Sequence, residues 1–134
     1  MRIVQLTPTI AVSEQISVAD VAAIADAGYK VLVNNRPDGE EANQPASAHI
    51  GAAAQAVGLE YHYLPITMAS FPGPDIARMA PLLDDPERPV LAFCRSGTRC
   101  ANLWVASRPE AERHQAAKTA QRHGYDLGMA ARCQ

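Results

Sequence analysis

The sequence contains 134 residues, the size of a single domain with its own hydrophobic core. Twelve basic and fourteen acidic residues give a formal net charge of −2, a balance that excludes a nucleic-acid-binding protein built on a basic face. The sequence has no run of 18 apolar residues and no charged N-terminal region followed by an apolar signal core, so we expect a soluble, cytoplasmic protein without membrane contact.

Cys94, Cys100 and Cys133 are the three cysteines of the sequence. Their number is odd, and they lack both the spacing of a disulfide framework and histidine neighbours at zinc-site spacing. We therefore expect a reducing compartment, no bound metal and no cofactor, and we regard Cys133 as incidental.

Apolar patterns, prolines and glycines divide the chain into short strands that alternate with helices. The first two strands flank Thr7-Pro8-Thr9 and are expected to pair as a hairpin. Ser17 and Asp20 form a weak capping-box pattern for the first helix, and Gly28 is expected to end it. The predicted strands cover residues 4–6, 10–12, 29–33, 59–64 and 90–93, and the predicted helices cover residues 17–27, 45–57, 74–83, 98–107 and 110–123, with one last turn at 125–131.

This order of elements predicts an α/β fold with a mainly parallel central sheet flanked by helices. Since parallel strands direct their carboxyl ends to one edge, the loops at 34–41, 65–73 and 94–99 are expected to converge there. The sequence has no internal repeat and no long linker. We predict a main domain over residues 1–109 and a C-terminal helical extension over residues 110–134 packed on the same domain.

The loop between the last strand and the following helix predicts an anion-binding site with a nucleophile. Cys94 ends the strand, where loop amides, a helix start and Arg99 favour the thiolate form. Gly97 allows the turn, and Arg99 either binds a substrate anion or stabilises the loop. Ser96 and Thr98 are candidate donors, although Thr98 is also a candidate helix cap. The candidate site residues in this loop are Cys94, Arg95, Ser96, Gly97, Thr98 and Arg99.

Four residues carry two interpretations each. Asp38 is a candidate proton donor, yet Asp-Gly is also an ordinary turn signal. Arg36 either binds the substrate anion or holds Asp38 and Glu40. Arg95 either steers an anionic substrate or is merely exposed. Cys100 is either a resolving thiol or part of the core, and core packing is favoured.

Three segments, Val33 to Glu41, Tyr61 to Ile66 and Cys94 to Arg99, resemble the phosphatase-like domain of the beta-lactamase-hydrolase-like proteins. The resemblance covers residues 1–107 and implies a dual-specificity-phosphatase fold with sulfurtransferase activity. Larger members of that family continue into a persulfide-oxidising domain that carries a His-X-His-X-Asp-His motif. This sequence lacks the motif, so we expect a separate persulfide-oxidising enzyme as a partner.

The spacing Cys-X4-Arg resembles the loop of rhodanese-type sulfurtransferases, whose smaller cradle suits a persulfide. Cysteine-dependent phosphatases carry Cys-X5-Arg, and Cys100 stands here at the position of their arginine. Phe93 replaces the histidine that usually precedes their cysteine. Met68 stands where the dual-specificity phosphatases have the aspartate that acts as their general acid.

These departures favour a sulfurtransferase that forms a persulfide on Cys94. It would take sulfur from a small-molecule donor and pass it to a thiol or cyanide acceptor. The first alternative is a hydrolase similar to tyrosine and dual-specificity phosphatases, acting through a phosphocysteine. The second alternative is a non-catalytic module that binds anions or thiols.

Overall fold

The central sheet contains five strands in the order β1-β2-β5-β3-β4. A computed structural model describes residues 2–132, so Cys133 lies outside the described residues. β1 runs antiparallel to β2, and every other neighbouring pair is parallel, which confirms the predicted hairpin and the mainly parallel sheet. The strands are β1 (Ile3–Thr7), β2 (Ile10–Ser13), β3 (Val31–Asn34), β4 (Glu60–Tyr63) and β5 (Val90–Phe93).

Six helices flank the sheet among the described residues: α1 (Asp20–Asp26), α2 (Ser47–Ala56), α3 (Ile76–Leu83), α4 (Thr98–Ser107), α5 (Glu110–Arg122) and α6 (Gly128–Ala131). The five predicted helices and the last turn are confirmed, and the predicted bounds of β5 and α4 match the observed ones. Within residues 2–132, no helix has the length and apolar character needed to cross a membrane.

Helix α1 begins three residues later than the sequence predicts. The backbone N–H of Asp20 donates to the Ser17 hydroxyl (3.2 Å), and the Asp20 carboxylate accepts from the backbone N–H of Ser17 (2.9 Å), so the capping box forms. The residues between Ser17 and Asp20 make a tight turn instead of a helical one, because Asp20 and Val21 also bond to carbonyls three residues earlier. Gly28 ends the helix as predicted, with a left-handed φ of 102°.

Two apolar cores lie on opposite faces of the sheet. Side chains alternate along each strand, so Val31 and Val33 of β3 enter one core and Leu32 enters the other. Helices α3 to α6 cover the first core, and α1 and α2 cover the second. β5 is bonded to strands on both sides and all four of its residues are buried. This explains why its sequence is an uninterrupted apolar run.

The C-terminal helices pack on α4. The Asn102 side chain, fully buried in α4, donates to the carbonyl of Asp126 (2.8 Å) and accepts from the backbone N–H of Ala130 (3.0 Å). Tyr125 belongs to the same core cluster as α4. The division into residues 1–109 and 110–134 stays a prediction, although the second segment shares the core of the first.

Candidate active site

Three loops meet at the carboxyl edge of the parallel strands. The backbone N–H of Asn35 donates to the carbonyl of Phe93 (2.9 Å), and the N–H of Ile66 donates to the carbonyl of Asn35 (3.0 Å). Arg99 then reaches across and donates through Nη1 to the carbonyl of Ile66 (3.0 Å). The predicted convergence is therefore present in the structure.

A loop after β2 also joins this edge, which sequence reasoning missed. The backbone N–H of Gln15 donates to the carbonyl of Arg95 (3.2 Å), and the Gln15 side chain accepts from Nη1 of Arg36 (3.1 Å). The position of this loop follows from the strand order, because β2 is parallel to β5 and therefore ends at the same edge.

Cys94 lies at the base of the cysteine loop, which we define as residues 94–99. Its side chain is fully buried, and its Sγ accepts a hydrogen bond from the backbone N–H of Gly97 (3.1 Å). Gly97 has a left-handed φ of 91°, and an added Cβ would lie 3.0 Å from the hydroxyl oxygen of Tyr125. Glycine is therefore required here both by conformation and by space.

The pKa of Cys94 is lowered to about 6. The largest cause is a hydrogen bond from the Cys100 thiol, and burial opposes it; the backbone N–H of Cys100 and the positive charge of Arg99 lower it further. Most of the Cys94 side chains are therefore thiolates at neutral pH, which is the nucleophilic form.

Cys100 is fully buried in the first turn of α4, and burial raises the pKa of its thiol. The pKa of Cys94 is lowered and that of Cys100 is raised, so Cys94 is the more acidic of the two thiols. Cys100 belongs to the core and also affects the pKa of Cys94. Packing in the core is therefore compatible with a position beside the nucleophile.

Arg99 is held in one orientation by three hydrogen bonds. Its Nη1 and Nη2 donate to the two carboxylate oxygens of Glu40 (2.8 Å each), and Nη1 also donates to the carbonyl of Ile66. A guanidinium has five N–H donors. Among residues 2–132, no hydrogen bond is made by Nε–H or by the second N–H of Nη2. These two donors lie on one edge, with the spacing that binds two oxygens of a phosphoryl group.

Glu40 belongs to the acidic loop, which we define as residues 36–41. Its carboxylate also accepts from Nε of Arg36 (2.9 Å). The hydrogen bond from Arg99 is the largest cause that lowers the pKa of Glu40, to about 2. Glu40 is therefore ionised at neutral pH, and its carboxylate fixes Arg99.

Arg36 lies behind the site, with only 3% of its side chain exposed. It bonds Glu40 and Gln15, and its Nη2 lies 3.4 Å from the carboxylate of Glu41. Of the two interpretations given to Arg36, this placement favours the holding role, directed to Glu40 and Glu41. Sequence reasoning did not single out these glutamates as site residues, although a buried arginine requires such partners.

Asp38 is bonded to the start of α2. Its carboxylate accepts a hydrogen bond from the backbone N–H of Ser47 (2.8 Å), the first residue of α2, and its own backbone N–H donates to the Tyr63 hydroxyl (2.8 Å). Asp38 thus satisfies a free N–H at a helix start. Its predicted role as a proton donor stays a prediction to which this placement lends no support.

The remaining residues of the cysteine loop face outward. Arg95 has 70% of its side chain exposed and pairs with Glu41 (3.0 Å). The Ser96 hydroxyl donates to that of Thr98 (3.0 Å) and accepts from the backbone N–H of Thr98 (3.4 Å). Thr98 is the first residue of α4, after the cap residue Gly97.

A surface cavity of about 410 Å³ opens beside the loop. Its lining residues are Glu40, Thr67, Met68, Arg95, Ser96, Thr98, Arg99 and Met129. Two oppositely charged groups, two methionines and three hydroxyls thus surround the entrance, together with the exposed Arg95. Arg95, Ser96, Thr98 and Arg99 line this cavity, whereas Cys94 and Gly97 are buried in the same loop and do not line it. The roles predicted for these six residues stay predictions.

Comparison with known proteins identifies relatives along nearly the whole chain. A beta-lactamase hydrolase-like protein of Xylella fastidiosa (strain 9a5c) is 35% identical over 133 residues, which is 97% of this chain and 31% of that protein. The chain therefore spans about a third of the length of its curated relatives.

Solved structures support the fold. A candidate phosphatase from Neisseria meningitidis Z2491 superposes with a TM-score of 0.77 at 34% identity, covering 96% of this chain and 92% of its own. A candidate phosphatase from Shewanella putrefaciens CN-32 gives 0.75 at 17% identity, covering 98% and 86%. The chain has the α/β fold of the cysteine-dependent phosphatases, as predicted.

The predicted sulfurtransferase function is wrong. It depended on the Cys-X4-Arg spacing, on Met68 at the position of the phosphatases' general acid and on the family resemblance, but the matching family is a phosphatase-like domain and the structural neighbours are candidate phosphatases. Short loops around a thiolate occur on unrelated folds, so loop length alone does not identify the chemistry.

The sequence model of one family, described as the beta-lactamase hydrolase-like protein, phosphatase-like domain, matches residues 2–111. This range contains the acidic loop, the cysteine loop and all five strands. The chain belongs to this family of phosphatase-like domains.

Proposed function

We propose that the chain is a cysteine-dependent phosphatase that hydrolyses phosphate monoesters through a phosphocysteine on Cys94. The observation that carries the proposal is the combination of a low-pKa thiolate bonded to the N–H of Gly97 and an Arg99 edge with two unused donors. The phosphatase fold and the phosphatase-like family support it.

The first step is an in-line displacement at phosphorus. The Cys94 thiolate forms an S–P bond while the P–O bond to the leaving group breaks, and its electron pair departs with the leaving oxygen. The Nε and Nη2 donors of Arg99 and the amides of the cysteine loop bind the three phosphoryl oxygens, on which charge is spread in the transition state.

The second step releases phosphate. Water attacks phosphorus, the S–P bond breaks, and its electron pair returns to Cys94 as the thiolate; both protons of the water leave with the phosphate, which departs as dihydrogen phosphate. The hydrogen bonds that lower the pKa of Cys94 also make it a good leaving group here. One arrangement of donors thus serves both steps.

The test is hydrolysis of an activated aryl phosphate by the wild type and by Cys94→Ser, with circular dichroism as the folding control. We expect turnover by the wild type, none by the variant, and an acid-quenched covalent adduct on Cys94 with the mass of one phosphoryl group. Full activity of a folded Cys94→Ser, or no hydrolysis by the wild type, contradicts the proposal. Phosphate or vanadate binding without any hydrolysis would instead indicate an anion-binding module.

A further inference from the structure

Among the described residues that line the cavity beside the cysteine loop, none is suited to protonate a leaving oxygen at neutral pH. Within residues 2–132, its lining contains one carboxylate, three hydroxyls, two guanidinium groups and two thioethers, and no histidine, tyrosine or lysine. Hydroxyls and guanidinium groups hold their protons far too tightly to act as general acids near pH 7. Only Glu40 belongs to a chemical class that could do so.

Glu40 is prevented from acting as an acid by its partners. Both carboxylate oxygens accept from Arg99 at 2.8 Å, and one of them also accepts from Arg36 at 2.9 Å. Protonation would break a bidentate ion pair that positions Arg99. The lowered pKa of Glu40, about 2, agrees with this geometry.

Two further proton donors near the edge, Asp38 and Cys100, do not line the cavity. The carboxylate of Asp38 is engaged by the backbone N–H of Ser47, and Asp38 does not line the cavity. The Cys100 thiol is fully buried, and burial raises its pKa. Neither can reach an oxygen that leaves on the solvent side.

Thioethers form one part of the cavity wall. Met68 has 65% of its surface exposed, and Met129 lines the same cavity. A methionine side chain offers apolar, polarisable contact and no proton. This side of the cavity therefore suits a flat or apolar leaving group that needs no hydrogen bond.

From this lining we infer the substrate class: phosphoryl groups on acidic leaving groups that depart unprotonated, namely esters of acidic phenols and phosphoric anhydrides, and not alkyl phosphates. The inference rests on the proposed phosphatase activity and specifies which bonds that activity can break. Without a proton donor, the leaving oxygen carries the full negative charge as the P–O bond breaks. The rate must then follow the stability of that anion.

The experiment measures kcat/KM for a series of aryl phosphates of increasing phenol pKa, together with acetyl phosphate and a simple alkyl phosphate. We expect kcat/KM to fall steadily along the series. We expect the alkyl phosphate to be at least roughly 10²-fold slower than the most activated aryl ester, the low end of what a positioned acid supplies. The pH profile should rise through the Cys94 pKa and show no falling limb up to pH about 9, because no acid must stay protonated.

Asp38→Asn is the matched control, because asparagine keeps an oxygen that can accept from Ser47 but cannot act as an acid. An unchanged leaving-group dependence in this variant supports the inference. A shallow dependence in the wild type, a steeper one in Asp38→Asn, or a bell-shaped pH profile overturns the inference and leaves the phosphatase proposal intact. No hydrolysis of any ester through Cys94 overturns both.

Discussion

The cysteine loop and the acidic loop face each other across the site, and they are assembled in opposite ways. In the cysteine loop, Gly97 and Cys94 bond over three residues of sequence. The acidic loop contributes Glu40, whose partner Arg99 is 59 residues away along the chain. The nucleophile is thus prepared by local structure, whereas the orientation of the cation depends on the completed fold.

The two loops also use negative charge differently. Cys94 and Glu40 both have lowered pKa values, and both lie beside Arg99. In the proposed mechanism the Cys94 thiolate is the reacting group. The Glu40 carboxylate accepts two hydrogen bonds from Arg99 and the carbonyl of Ile66 accepts a third, so three of the five guanidinium donors are engaged. In the proposed mechanism, Arg99 can orient the substrate only because Glu40 of the acidic loop orients Arg99.

The largest expected effect comes from Arg99→Lys, which removes the planar fork and keeps the charge. Lysine cannot bond both oxygens of Glu40 and still present two donors to a phosphoryl group. We expect kcat/KM for an aryl phosphate to fall by roughly 10²–10³-fold, the cost of losing a positioned transition-state donor. Steady-state kinetics and vanadate inhibition measure it; wild-type values for both would show that charge alone suffices.

A smaller loss of activity is expected from Glu40→Gln, which leaves Arg99 in place and weakens the hydrogen bonds that orient its guanidinium group. Losing a charged hydrogen-bond partner costs about 1.5–3 kcal/mol, so kcat/KM should fall by roughly 10- to 100-fold. Glu41→Gln is the matched control, because Glu41 pairs with Arg95 and Arg36 but not with Arg99. Equal losses in the two variants would contradict a specific role for Glu40.

Glu40 also predicts a pH effect on stability. Its pKa in the folded protein, about 2, lies below its ordinary value of 4.5, so its stabilising contribution is present above pH 4.5 and is lost as the pH falls towards 2. Urea unfolding of the wild type and Glu40→Gln at pH 7 and pH 3 tests this. The stability gap between the two proteins should narrow at pH 3, and a constant gap would argue against the ion pair.

The smallest effect is expected from Cys100→Ala, a change of a buried core residue that should alter the pKa of Cys94. The hydrogen bond from Cys100 is the largest cause of the lowered Cys94 pKa, so its loss should raise that pKa above about 6. The midpoint of iodoacetamide labelling against pH should move upward, and activity at pH 6 should fall more than activity at pH 8. Cys100→Ser, which keeps a hydrogen-bond donor, should move the midpoint less. Identical midpoints in all three proteins would contradict an effect of Cys100 on the pKa of Cys94.

The sequence predicted the cysteine loop because its signals are local. Pro89 precedes β5, Gly97 supplies the left-handed turn, and α4 begins at Thr98. The rim of three loops followed from the parallel order of strands, and it was confirmed. The start of α1 was less accurate, since a capping box is compatible with a tight turn before the first helical residue.

The role of Glu40 in the acidic loop could not be predicted from the sequence in the same way. A Gly-Glu-Glu segment has the composition of an exposed turn, and only the folded structure shows Glu40 between two arginines. Asp38 was selected as the acid of this loop, but the fold directs it to the start of α2. The sulfurtransferase hypothesis failed for a related reason, because a six-residue spacing carries no information about the sheet to which the loop is attached.

The charges at the site cancel before any substrate arrives. Three guanidinium groups, those of Arg36, Arg95 and Arg99, stand against the Glu40 and Glu41 carboxylates and the Cys94 thiolate. The third carboxylate of the acidic loop, that of Asp38, is bonded instead to the backbone N–H at the start of α2. A dianionic ester approaching from beyond a Debye length of about 8 Å therefore meets little net field. Its capture depends on directional contacts at short range, and so its association rate should vary little with ionic strength. The same neutrality leaves no strong field to retain the phosphate that is released.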